Sequence, residues 1–219
     1  MNRRGVCFVL QFLTCLSAFG GVFLSLLFAT RDGYSHWSKR LLYFTAQSNL
    51  WIGIVFLFLL AYRKKPRPSW LALLKFVFTV SITVTGFVFC FLLAPFSDDN
   101  YTPWTFCNLL THVFTPLFAV VDFFLDKQPL SPPKNAVFAS LLPPFCYCAV
   151  SVTLQIFEVD FGRGVPYPYF FLNYRSPARL FGFSRERPFF LGSFYWLVLF
   201  FLLVLGISVF YAKTMKKRR

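Results

Sequence analysis

The chain has 219 residues, of which 57% are hydrophobic, 22% aromatic and only 14% charged. A soluble domain carries roughly 25% charged residues, and 33 Phe residues are more than a water-facing surface can hold, so a soluble globular protein is excluded. The net charge of +14 does not mark a nucleic-acid binder. Lys and Arg fall in short clusters between and after apolar runs, where they set membrane orientation. The sequence has no zinc-finger spacing, RNA-binding signature or base-reading basic helix.

A bilayer-spanning helix needs about 20 mostly apolar residues. Six windows qualify, at about 5–30, 41–62, 70–94, 105–126, 135–158 and 188–212. The expected fold is all-α: one domain, a polytopic bundle of six transmembrane helices. The first window follows Arg3 and Arg4 as a signal peptide would. Its apolar run exceeds the usual h-region of about 7–15 residues, which favours a retained span. Counting Lys and Arg outside the spans gives 13 on the side of the termini and 8 on the other. That excess predicts both termini in the cytoplasm and a multi-pass protein of the cell (inner) membrane. Trp37, Tyr101 and Trp104 are expected as aromatic anchors at the outer surface, and Trp70 and Tyr211 at the inner one.

Prolines 66, 68, 129, 132 and 133 fall in connections, whereas Pro116, Pro143 and Pro144 fall in or near helix starts, where they kink. The six cysteines all lie in apolar runs and read as small buried residues. The fifth connection, about 159–187, is unusual. It holds Gly162, Gly164 and the run Val165-Pro166-Tyr167-Pro168-Tyr169-Phe170-Phe171-Leu172-Asn173-Tyr174. Either it anchors at the membrane surface, or it dips inward and covers a site.

Two polar residues stand out. Thr45 lies about four residues into the second span, roughly 6 Å deep, and His112 about seven residues into the fourth, roughly 10 Å deep. Both spans enter from the same side, so the two depths match. Thr45, Ser48 and Asn49 fall at i, i+3 and i+4 and share a helix face, as do Asn108 and His112, with Thr115 a turn further. Two such faces turned together form a polar pocket in which His112 accepts the Thr45 proton, while Asn49 or Asn108 orients the ring or binds an oxyanion. Taken singly, these residues also fit helix-packing roles. Cys107 and Cys90 are rival nucleophiles without a nearby cation to activate them. His36 sits in a short connection. Toward the other side, Lys75 and Asp122 are placed to pair across helices as a structural ion pair, with an ion path as the alternative. Glu158 is a weaker candidate acid. Two separate histidines and no carboxylate cluster give no metal site, and no cofactor is implied.

The segments Tyr-Phe-Thr-Ala-Gln-Ser-Asn at 43–49 and Asn-Leu-Leu-Thr-His at 108–112, followed by Asp122, resemble the androgen-induced / androgen-dependent TFPI-regulating protein family of multi-pass membrane proteins. The Tyr-Pro-Tyr-Phe-Phe-Leu-Asn run at 167–173 is similar to a late-loop motif of its bacterial six-pass relatives. Animal members are threonine hydrolases that cleave fatty acid esters of hydroxy fatty acids. The resemblance implies a catalytic Thr at position 45 and a catalytic His at position 112. The expected function is an intramembrane hydrolase of fatty acyl esters that draws its lipid substrate from the bilayer. The alternatives are a transporter or a lipid- or ion-binding protein using the same pocket, and an assembly scaffold.

Overall fold

The computed structural model describes residues 2–96, 102–126 and 135–216. The expectations for Tyr101, Lys127, Pro129, Pro132, Pro133, Lys134, Lys217, Arg218 and Arg219 lie outside the described residues. The chain is an all-helical, multi-pass membrane protein with six helices long and apolar enough to span a bilayer: α1 (Arg3–Leu27), α2 (Phe44–Ala61), α3 (Ser69–Leu93), α4 (Phe106–Leu125), α5 (Ala136–Ile156) and α6 (Ser193–Lys216). In lipid every backbone N–H and C=O must find its partner within the chain, which is why apolar runs of this length fold as helices. Among the described residues the β-pairing is one isolated bridge, Phe183 with Leu191.

The helix ends depart from the hydropathy windows where local chemistry intervenes. Helix α2 begins at Phe44 because Trp37–Leu42 forms a 3₁₀ turn and Tyr43 is extended at the N-cap. Helix α6 begins at Ser193 rather than near 188, since the preceding residues fold back: the Gly192 N–H donates to Gly182 O at 2.9 Å. Pro143 and Pro144 sit in the first turn of the Leu142–Ile156 part of α5, where the lost N–H has no helical partner to lose. Tyr211 is not an interfacial anchor. It is buried, stacks on Phe123 with centroids 4.8 Å apart and bonds Thr83 at 2.9 Å.

Helices α1 to α4 form the compact part, with α1 against α2 and α4, and α3 between α2 and α4. Their shared core is built from Cys15, Ala18, Ile52, Phe56, Leu71 and Ala119. Helices α5 and α6 cover the outer side of α3 and bury much less of themselves. Helix α6 packs on α3, on the first turn of α5 and on the loop before it. The outward faces carry Phe12, Leu16, Phe23, Phe145 and Phe201, side chains suited to lipid contact. Cys146 is also exposed there, and all six cysteines are free.

Two glycines let α4 sit close to its neighbours. A Cβ on Gly21 of α1 would lie 2.7 Å from Thr111 Cγ2, and one on Gly86 of α3 would lie 3.0 Å from the His112 carbonyl oxygen. Small residues at crossings are the usual means of close helix approach in a membrane.

At one end of the bundle, where α2 and α4 begin, the connections 28–43 and 157–192 are laced together. Ser35 N–H donates to Gly162 O at 2.8 Å, Lys39 Nζ to Asp160 O at 2.7 Å and Tyr43 OH to Phe161 O at 3.3 Å. The aromatic run of the long loop turns inward from this lacing. Phe171 and Leu172 are buried in the core formed by α3, α5 and α6. The long loop therefore covers the end of the bundle.

Candidate active site

Thr45 is the second residue of α2, and the residue before the helix, Tyr43, has extended backbone angles. The first N–H groups of a helix have no partner inside it. The Thr45 N–H instead donates to the Tyr169 hydroxyl, at 3.4 Å. The Thr45 side chain faces α4, and its Oγ1 lies 3.1 Å from His112 Nε2.

His112 owes its position to a widened turn. Residues Leu110–Phe114 of α4 are π-helical, and Pro116 sits four residues after His112. A proline has no N–H to offer the carbonyl four residues earlier, and its ring clashes with that carbonyl in an α-helix. The chain responds by opening one turn: the Thr115 N–H passes to Leu110 O instead. The released His112 carbonyl packs toward Gly86. Single π turns inside α-helices cluster at functional sites. Phe89, in the second π turn at Phe89–Leu93, stacks on the imidazole with centroids 4.1 Å apart.

The hydrogen bonds assign the ring tautomer. His112 Nδ1 lies 3.1 Å from the Asn108 carbonyl oxygen, which can only accept, and 2.9 Å from Thr111 Oγ1. Thr111 spends its own proton on Cys107 O at 3.0 Å, so it too accepts. Nδ1 therefore carries the hydrogen, and Nε2 presents a lone pair to the Thr45 hydroxyl. That is the arrangement a general base needs. His112 is buried, whereas Thr45 is half-exposed to a cavity.

The cavity has a volume of about 510 Å³, and its lining includes Thr45, His112, Phe89, Tyr169, Arg40 and Arg163. Both guanidinium groups lie over the Tyr34 ring, at 4.1 and 4.7 Å from its centroid, and Arg40 is paired with Asp32. On the other side of Thr45 and Tyr169 is an apolar slot of about 70 Å³. It is walled by Val84, Val88, Tyr147 and Val204, together with Pro144, Cys148 and Phe200 of α5 and α6. Thr45 thus lines both the cavity that holds His112 and the apolar slot.

The other residues expected at the site are distributed differently. Asn49 does not touch the imidazole: its Nδ2 donates to Thr45 O at 2.8 Å and to Thr111 O at 3.0 Å, tying α2 to the π turn. Ser48 faces α3, 2.8 Å from Thr85 Oγ1. Asn108 orients the ring through its backbone carbonyl, while its Nδ2 donates to Pro103 O at 2.8 Å. Thr115 points to α1 and donates to Ser17 Oγ at 2.9 Å, because the π turn rotates it off the His112 face. Cys90 and Cys107 do not line the cavity. His36 caps its own turn through the Ser38 N–H at 3.3 Å, and Glu158 is an exposed partner of Arg175 at 2.8 Å.

Lys75 and Asp122 pair at 2.6 Å, at the opposite end of the bundle. They belong to a larger network. Lys75 also reaches Asp126 at 2.7 Å, Arg67 meets Asp126, and Gln11 donates to Asp122 at 3.1 Å. Among the described residues no group of three or more His, Cys, Asp or Glu converges as metal ligands would.

Three residues of the site escape a straight-helix reading. Thr111 stands beside His112 in sequence, and only the widened turn puts both on one side. Phe89 is one Phe among many. Tyr169 lies in the aromatic run, whose composition fits a surface anchor as well as a covering loop and does not say which ring reaches Thr45. Compared with known proteins, the chain matches no family model, no curated protein and no solved structure.

Proposed function

We propose that this protein is an intramembrane hydrolase of fatty acyl esters, with Thr45 as nucleophile and His112 as general base. The observation that carries the reading is the 3.1 Å contact between Thr45 Oγ1 and His112 Nε2, with Nδ1 held as the hydrogen-bearing nitrogen by Asn108 and Thr111. A threonine hydroxyl is a weak nucleophile until a base takes its proton. The motif resemblance at 43–49 and 108–112 supports the same pair. The apolar slot lined by α2, α3, α5 and α6 suits an acyl chain, and the cavity lined by Arg40 and Arg163 suits the alcohol portion.

In this reading Thr45 Oγ1 attacks the ester carbonyl as its proton passes to His112 Nε2. The tetrahedral species then expels the alcohol, which leaves with that proton, and an acyl-threonine remains. Water gives a proton to Nε2 and attacks the acyl carbon. The acid departs, and Thr45 recovers its proton from His112. The basic excess on the side of the termini supports placing the long-loop end, and with it the site, in the outer leaflet of the cell membrane.

The test is covalent labelling of the purified protein by a fluorophosphonate. Wild type and Thr45→Ser should label, while folded Thr45→Ala and His112→Ala should not. Equal labelling of all four rejects the dyad. Loss of cellular function in Asp122→Asn, with Thr45→Ala unaffected, would favour transport or ion binding instead.

A further inference from the structure

An acyl transfer needs donors for the negative oxygen of its tetrahedral intermediate. Of the two asparagines expected for that task, Asn49 commits both Nδ2 hydrogens, to Thr45 O and Thr111 O, and Asn108 directs its Nδ2 to Pro103 O at 2.8 Å. We propose that the oxyanion is held by the Tyr169 phenol together with the backbone N–H of Thr45. This assignment rests on the hydrolase reading of Thr45.

The donor roles follow from proton accounting. Thr45 has one hydroxyl proton, and it points to His112 Nε2 at 3.1 Å. In the 3.4 Å contact between Thr45 Oγ1 and Tyr169 OH, the phenol must therefore donate. The Thr45 N–H donates in turn to the phenol oxygen, also at 3.4 Å. At rest, then, the phenol donates to the nucleophile and accepts from the N–H of the same residue. When Oγ1 bonds to the substrate carbon, the carbonyl electron pair moves onto its oxygen, one bond beyond that carbon. An oxyanion donor has to lie about 2.7–3.1 Å from that oxygen. The phenol oxygen, 3.4 Å from both Thr45 Oγ1 and Thr45 N, and the N–H of the same residue can both turn to it with small movements. The N–H is a first-turn group of α2, so the positive end of the helix dipole faces the new charge.

Tyr169 is also preorganised. Its ring stacks on Phe171 with centroids 5.0 Å apart, meets Tyr43 edge-on at 5.7 Å and lies 6.3 Å from Tyr147. Burial pushes its hydroxyl up to about 12, so it keeps its proton at neutral pH. It lines both the polar cavity and the apolar slot, the boundary where an ester carbonyl must lie. The long loop would thus complete the catalytic machinery as well as cover it.

The experiment uses the full-length protein in detergent micelles with a chromogenic acyl ester and a fluorophosphonate, whose P=O oxygen occupies the same position as the oxyanion. Tyr169→Phe keeps the ring and its packing. It should lower kcat and the labelling rate by about 10²–10³-fold, with little change in KM. A ring-fluorinated tyrosine at position 169, a more acidic donor of nearly the same shape, should move the alkaline limb of the kcat profile to lower pH. A merely structural tyrosine would leave that limb in place. Wild-type kcat in Tyr169→Phe, or an unmoved alkaline limb in the fluorinated protein, overturns the assignment while leaving the Thr45–His112 reading intact. If wild type neither turns over ester nor labels, both fall.

Discussion

Phe89 and His112 lie face to face, with ring centroids 4.1 Å apart and planes 24° from parallel, and each belongs to a π turn of its own helix. Two widened turns on adjacent helices hold one imidazole. The turn in α4 is explained by Pro116, which withholds the N–H that an α-helix would give to His112 O.

Pro116→Ala should therefore close that turn. The restored N–H would recapture the His112 carbonyl, the helix would return to α register, and the ring would draw back from Thr45. The expected outcome is a melting temperature equal to or above wild type and a fluorophosphonate labelling rate lower by about 10²-fold, the scale of a misplacement of about 1 Å. Wild-type labelling in a stable Pro116→Ala protein would show that the π turn does not set the dyad.

The apolar runs made the six helices legible, since length and hydropathy are what a bilayer selects. Thr45 and His112 were legible as polar exceptions at matched depth. A straight helix with i, i+4 faces accounts for Asn108 beside His112 but not for the other neighbours. Thr115 turned to Ser17 and Thr111 turned to His112 because the π turn changes the angular spacing. Asn108 serves the ring through its carbonyl, an atom every residue possesses and no side-chain pattern reveals. Tyr169 sits on a loop, which has no periodicity to read, and its approach to Thr45 depends on lacing between distant connections. Lys75 and Asp122 were legible as a pair, whereas Gln11, Arg67 and Asp126 join them only through the folded end of the bundle.

That network predicts a mutational asymmetry. Lys75 and Asp122 are both fully buried. Lys75→Met strands the Asp122 carboxylate and should destabilise by about 3–5 kcal/mol. Adding Asp122→Leu removes the stranded charge, and Arg67 still pairs with Asp126. The double variant should recover most of the loss, because a buried ion pair gains little over apolar packing. Thermal unfolding in micelles gives both numbers. A double variant less stable than Lys75→Met alone would contradict this account.

Asp126, just past the end of α4, gives the fold an acid-sensitive joint. Burial pushes its carboxyl up, but Lys75 and then Arg67 outweigh that and hold it at about 2. An unfolded Asp titrates near 3.9, so between about 4 and 2 the unfolded chain binds more protons than the folded one. The stabilisation is complete above that window and is lost as pH falls through it. Asp126→Asn should have a lower melting temperature at neutral pH and a flatter decline between about pH 4 and 2. An acid limb identical to wild type would assign the sensitivity to another group.

The slot behind Thr45 makes a prediction about chain length. Cys148 is half-buried and lines it beside Pro144 of α5 and Phe200 of α6. The slot is narrow, so an indole placed in it leaves no room for an acyl chain beside it. Cys148→Trp should lower turnover of long-chain esters about tenfold or more, since excluding even one methylene from an apolar pocket costs about 1–3 kcal/mol. Acetyl esters end before the slot narrows and should be spared, as should labelling of Thr45 by a small fluorophosphonate. An equal loss on acetyl and long-chain esters would mean that the indole disturbs the dyad itself. No loss on either would mean that the acyl chain takes another path, through the cavity that Arg40 and Arg163 line.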